Sequence, residues 1–117
     1  MLPESTMGPS LLKEIENKRL LHELIGQLNK DIDLAGLHFA IDHKSDAREI
    51  VEQLQSILLK CIKTDFGGYL NFLYRVDVSE NLLRSLNEPD PLVLSEKVTW
   101  ILLQREWQKV WFKSKNR

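Results

Sequence analysis

Asp90-Pro91-Leu92-Val93-Leu94-Ser95-Glu96-Lys97-Val98-Thr99-Trp100-Ile101-Leu102-Leu103-Gln104-Arg105-Glu106-Trp107-Gln108-Lys109-Val110-Trp111-Phe112-Lys113 decides the fold. Asp90 suits a helix cap, and proline suits the first helical position because that N–H needs no partner. The spacing predicts one helix from Pro91 to about Lys113, roughly 35 Å long at 1.5 Å per residue. Val93, Trp100, Leu103, Trp107, Val110 and Trp111 fall on one face. Leu94, Val98, Ile101, Leu102 and Phe112 fall on another, roughly opposite. A helix apolar on two faces is either central to a bundle or shared with a partner.

The segments before it are also helical in pattern. From Ser10 onward Leu21, Ile25, Leu28 and Ile32 step by four, three and four, which places them on one stripe. Gly36 can take the left-handed conformation that ends a helix, with Leu37 folding back on it. Gly26 sits inside this stretch at a cost of about 1 kcal/mol against alanine. A closely crossing helix or simple tolerance would account for it. Leu37, Phe39 and Ile41 alternate with polar or small residues, as Val76 and Val78 do later. An apolar connector fits this better than a small two-stranded ribbon. Ser45 or Asp46 caps a second helix, and Asp46 with Glu49 has capping-box spacing. Its stripe is Ala47, Val51, Leu54, Leu58 and Cys61, widened by Ile50, Ile57 and Ile62. Asp65-Phe66-Gly67-Gly68 breaks it, and Tyr69 to Val76 is apolar almost all round, which predicts burial. Ser79 caps a short helix with Leu82, Leu83 and Leu86, closed by Asn87-Glu88-Pro89.

The expectation is all-α: an irregular helical bundle of three long helices and one or two short ones. Residues 1–9 read as a flexible tail, 10–113 as a single domain and 114–117 as a basic tail. A chain of 117 residues with 43% hydrophobic and 28% charged residues has room for one core and is too apolar for disorder. One cysteine excludes a disulfide framework and a Cys-rich zinc site. No apolar run approaches the ~18–20 residues of a membrane span. The first nine residues lack the basic and apolar regions of a secretory leader. The expectation is therefore cytoplasmic.

Formal net charge is −1. Residues 65–96 carry two cations and six acids, and residues 97–117 six cations and one acid. Cations at a helix C-terminus oppose the macrodipole, and they can also mark a patch for an anionic partner. Near-neutrality argues against a protein that coats nucleic acid.

Catalytic signals are absent. His22, His38 and His43 lack the helical spacing of zinc ligands, so neither a metal nor another cofactor is expected. Cys61 lies on a core stripe. Asp65-Phe66-Gly67 matches the kinase magnesium motif in letters alone, and no Gly-Lys-Ser/Thr follows Gly67-Gly68. Asp31/Asp33 and Glu88/Asp90 read as solvated faces and caps. A water-filled pocket joining Asn71, Arg75 and Asp77 would argue for an enzyme. The helix after the diglycine offers only Asn71 and Arg75 to DNA bases, so nucleic-acid recognition is not favoured. What remains is the Trp-rich end. Trp107, Val110, Trp111 and Phe112 are the candidate partner-binding residues, for a protein partner or for a homodimer. Arg105, Lys109, Lys113 and Lys115 are the alternative, a weak site for nucleic acid or another anionic surface.

Phe66-Gly67-Gly68-Tyr69-Leu70-Asn71-Phe72-Leu73-Tyr74-Arg75-Val76-Asp77-Val78 and Arg105-Glu106-Trp107-Gln108-Lys109-Val110-Trp111, with the stretch from Leu28 to Phe39, resemble short uncharacterised proteins of Bacteroidetes-type bacteria. The resemblance spans about residues 20–113. It implies a bacterial cytoplasmic setting and a small stand-alone domain, and it carries no activity, cofactor or catalytic residue. The function expected is a non-enzymatic protein–protein interaction module.

Overall fold

A computed structural model describes residues 8–17 and 19–116. Among these residues six helices run in chain order: α1 (Pro9–Asn17), α2 (Leu21–Leu34), α3 (Ala47–Thr64), α4 (Phe66–Val76), α5 (Glu80–Leu86) and α6 (Pro91–Lys115). No strand occurs among the described residues. The expected flexible tail over residues 1–9 falls largely outside the described residues; Pro9 already belongs to α1.

α6 begins as its sequence dictates. Asp90 Oδ1 accepts from the Leu92 N–H at 2.9 Å, and Pro91 opens the helix. Its 25 residues give about 37 Å, matching the longest dimension of the molecule, 37 Å. α3 lies along it, and α2 and α4 also pack against it. α6 is thus the central helix, but its two apolar faces are covered unequally: Val98, Leu102, Leu103, Trp107 and Val110 are buried, whereas Leu94, Trp100, Ile101 and Trp111 are partly buried and Phe112 is half exposed. Ser95 and Thr99 are buried within it because each hydroxyl donates to a carbonyl of its own helix, Leu92 O at 2.7 Å and Ser95 O at 2.6 Å. The helix continues to Lys115, so the expected basic tail begins later than residue 114.

The single helix expected from Ser10 to Gly36 is two helices. Arg19 takes φ +55°, a left-handed conformation that ends regular winding. Leu11 and Ile15 of α1 and the Leu24, Ile25, Leu28 and Ile32 stripe of α2 are all buried. On one continuous helix these two stripes would point about 100° apart. The break re-phases them, so that α1 packs on α3 while α2 packs on α4 and α6.

α2 ends as expected. Gly36 has φ +80°, its N–H donates to Asp33 O, and the Leu37 N–H donates to Ile32 O, the two bonds of a Schellman turn. The alternation over residues 37–41 is a connector. Leu37 and Ile41 point into the core, and Asn29 takes the place of a strand partner. Its Oδ1 accepts from the Ile41 N–H at 2.7 Å, and its Nδ2 donates to Ile41 O at 3.0 Å. Asp46 and Glu49 form the expected capping box at the start of α3.

Asp65 divides α3 from α4, and its carboxylate accepts from the Gly68 N–H at 2.9 Å. A Cβ on Gly68 would run into Asp65 and the Leu37 side chain, so glycine is required there. α4 departs from the expectation of burial all round. Tyr69, Phe72, Leu73 and Val76 are in the core, but Phe66, Leu70 and Tyr74 are 52%, 49% and 79% exposed. α5 buries no residue.

Candidate functional site

Two sets of residues stand out: the Trp-rich end of α6 with the charges around it, and the exposed flank of α4.

Glu106 is the one acid among residues 97–117, and it is 0% exposed. Helical spacing sets it among Leu102, Leu103 and Val110, all core residues. One turn on, Lys109 Nζ lies 2.7 Å from Glu106 Oε1 and 2.7 Å from Asp31 Oδ2 of α2. The same ammonium donates to Val76 O at the end of α4, at 3.3 Å. Gln27 Nε2 donates to Asp31 Oδ2 at 3.1 Å, and Lys113 Nζ donates to Gln27 Oε1 at 2.7 Å. Three helices therefore meet on one ammonium group. Asp31, expected on a solvated face, is buried.

The two carboxyls are driven in opposite directions. Burial pushes Glu106 up to about 9, with the Asp31 carboxyl adding to the rise and Lys109 opposing it. Burial also raises Asp31, but hydrogen bonds from Glu106, Lys109 and Gln27 outweigh it, and its net shift is downward. Neither Glu106 oxygen accepts a well-directed hydrogen bond from a protein donor. Two ionised carboxylates cannot bond each other, whereas a protonated Glu106 brings its own donor to Asp31. Burial and the neighbouring carboxylate thus favour a carboxylic acid at Glu106 beside an ionised Asp31 and the ammonium, a set with no net charge.

The candidate partner-binding residues separate. Trp107 and Val110 are in the core, which corrects their placement at a partner surface. Trp107 also fills more volume than any other fully buried side chain. Trp111 is partly buried and Phe112 is half exposed. The candidate anion-binding residues each have a partner within the chain. Arg105 Nε donates to Asp77 O at 3.1 Å and its Nη2 to Asp77 Oδ2 at 3.1 Å. Lys109 and Lys113 are taken up as above, and Lys115 Nζ lies 4.5 Å from the Trp111 ring centre. Lys109 is drawn in because its long stem reaches across to α2 and α4, whereas Lys113 and Lys115 stay exposed.

Sequence reasoning missed the α4 flank. Phe66, Leu70 and Tyr74 repeat every fourth residue, a spacing that puts them on one stripe. Beside the stripe runs a groove of about 370 Å³, walled by Leu70, Leu73 and Tyr74 of α4 and Leu83 of α5, with Asp77 and Glu80 at its edge. A second groove of about 420 Å³ lies between α5 and α6 and shares Asp77, Val78 and Ser79 with the first. α4 ends at these residues in a second Schellman turn, closed by Asp77 at φ +71°. Asn71 and Arg75 line neither groove.

Among the described residues no group of three or more His, Cys, Asp or Glu is placed to hold a metal ion. His22 and His43 come together as rings 6.4 Å apart, both exposed. No described helix is long and apolar enough to cross a membrane. No family model, no curated protein and no solved structure matches the chain at a significant level.

Proposed function

We propose that the chain is a non-enzymatic interaction module of a bacterial cytoplasm, and that it docks a short amphipathic segment of another protein along α4. The observation that carries this reading is the stripe Phe66, Leu70 and Tyr74, three large side chains exposed together beside an open groove. Large apolar groups held in water at helical spacing suit a helix-in-groove contact.

The occupant is a different chain rather than a second copy. The stripe is about 12 Å long and about one helix width, ~10 Å, across, which makes on the order of 120 Å², well short of the ~800 Å² per partner that a stable dimer buries. Self-pairing would also set residues 65–96, with six acids and two cations, against themselves. Lys97 and Arg105 of α6 each pair with one of those acids and still leave the surface acidic. A partner with cations beside its apolar anchors avoids that repulsion. The anionic-surface reading draws less support, since Arg105, Lys109, Lys113 and Lys115 already face partners within the chain.

The test is a photo-crosslinking side chain placed at Asn71 in the source cells. The expected result is one discrete adduct, abolished by Leu70→Glu or Tyr74→Glu and kept by Glu52→Gln on exposed α3. An adduct indifferent to the stripe would overturn the proposal. So would loss only with Trp111→Ala, which would move the surface to the end of α6. Light scattering across concentration and salt is expected to give a monomer throughout; a dimer dissolved by Leu70→Glu would make the occupant a second copy.

A further inference from the structure

The carboxyl pair at the α2–α6 contact has a consequence for how that contact is held. Asp31 and Glu106 each touch the same ammonium, so they lie within about twice 2.7 Å of each other. Among the described residues no second cation is paired with either carboxyl. Lys113 is directed to the Gln27 amide oxygen. On α3 the buried titratable group is Cys61, and on α4 it is Tyr69; burial raises both, Tyr69 to about 12, and keeps them neutral. α4 otherwise presents the Val76 carbonyl, and the buried residues of α1 are Leu11 and Ile15.

We propose that the Glu106 proton, directed at Asp31, is the pin that holds α2 against α6, and that its loss to base opens this contact. With the proton in place, carboxylic acid, carboxylate and ammonium are neutral together. When hydroxide takes it, water forms, and two buried carboxylates face one partly exposed ammonium. The uncompensated charge is relieved only if α2 moves away and admits water. The high proton affinity of Glu106 in the closed state agrees with this geometry. A carboxyl with a raised folded value binds its proton in the closed form and releases it on opening. The opening constant should therefore rise about tenfold per pH unit between the ordinary carboxyl range and about 9, then level off.

The experiment is native-state hydrogen exchange on the full chain from about pH 6 to about pH 8, corrected for intrinsic base catalysis. The expected result is that α2 amides open about tenfold more readily per pH unit; α3 amides share that slope only where they exchange through global unfolding, which exposes Glu106 as well, and stay flat where they exchange by local fraying. Glu106→Gln keeps the shape and cannot ionise, so its α2 profile should be flat. Equal slopes in Glu106→Gln and the unmodified protein, or no slope in the latter, would overturn the proposal. Should Glu106→Gln fail to fold, the carboxyl carbon of Glu106 in the unmodified protein decides by NMR. A carboxylic-acid shift at neutral pH supports the pin, and a carboxylate shift there removes it.

Discussion

Lys109 reaches its partners through a stem that passes from α6 to α2, 78 positions away in sequence. Removing the ammonium leaves the Asp31 carboxylate buried without its counter-ion. Lys109→Met should cost about 3–5 kcal/mol in urea unfolding near neutral pH. Lys115→Met should cost less than about 1 kcal/mol, because it gives up one exposed cation–π contact. Equal effects would mean that the buried pair contributes nothing beyond a surface charge. Cys61 offers a second check at this scale. It is buried, and burial with the nearby Asp65 carboxylate raises its thiol, so thiol reagents should label it slowly in the native protein and rapidly in denaturant. Fast native labelling would take it out of the core. Cys61 was legible because its helical stripe is local information. The charged cluster was not, because nothing in the spacing of Asp31 and Lys109 tells that they meet. Glu106 did leave a trace: a lone acid in a basic segment, flanked at helical spacing by apolar residues.

The elements were legible where their ends are written in adjacent residues. The Asp46–Glu49 box, the Gly36 turn, the Ser79 cap and the Asp90-Pro91 start are all contacts within a few positions, and all form as read. The break at Arg19 has no such signature. It follows from how α1 and α2 must each face the core, which depends on α3 and α6. The flank of α4 was misread for a related reason: apolar residues all round say that a helix can be buried, not that neighbours suffice to bury it. Two glycines test the same distinction between local and tertiary demands. Nothing lies within 4 Å of a Cβ placed on Gly26, so Gly26→Ala should stabilise the protein by up to about 1 kcal/mol through helix propensity alone. Gly68→Ala should instead destabilise it by about 1–3 kcal/mol, since Asp65 and Leu37 must shift to make room. Thermal unfolding of the two variants checks both signs at once. Asp90→Ala should lose about 1 kcal/mol from the missing cap of α6, and no loss would place the helix start elsewhere.

For the whole molecule, the two-faced apolar pattern of α6 left two readings open, and the packing of α2, α3 and α4 around it selects the central one. Trp107 fills the middle of that packing, so Trp107→Ala should cost about 3–5 kcal/mol. Trp111→Ala, at a partly covered position, should cost visibly less by the same measurement; the reverse order would put Trp111 in the core instead. A central helix that comes after its neighbours in the chain also has a consequence in time. A ribosome delivers α2, α3 and α4 before the helix they pack against. Making the 25 residues of α6 takes about 1–5 s at ~5–20 residues per second. During that interval the faces of α2, α3 and α4 that will close on α6 have nothing to close on. The nascent chain passes through those seconds with its apolar α6-facing surfaces bare.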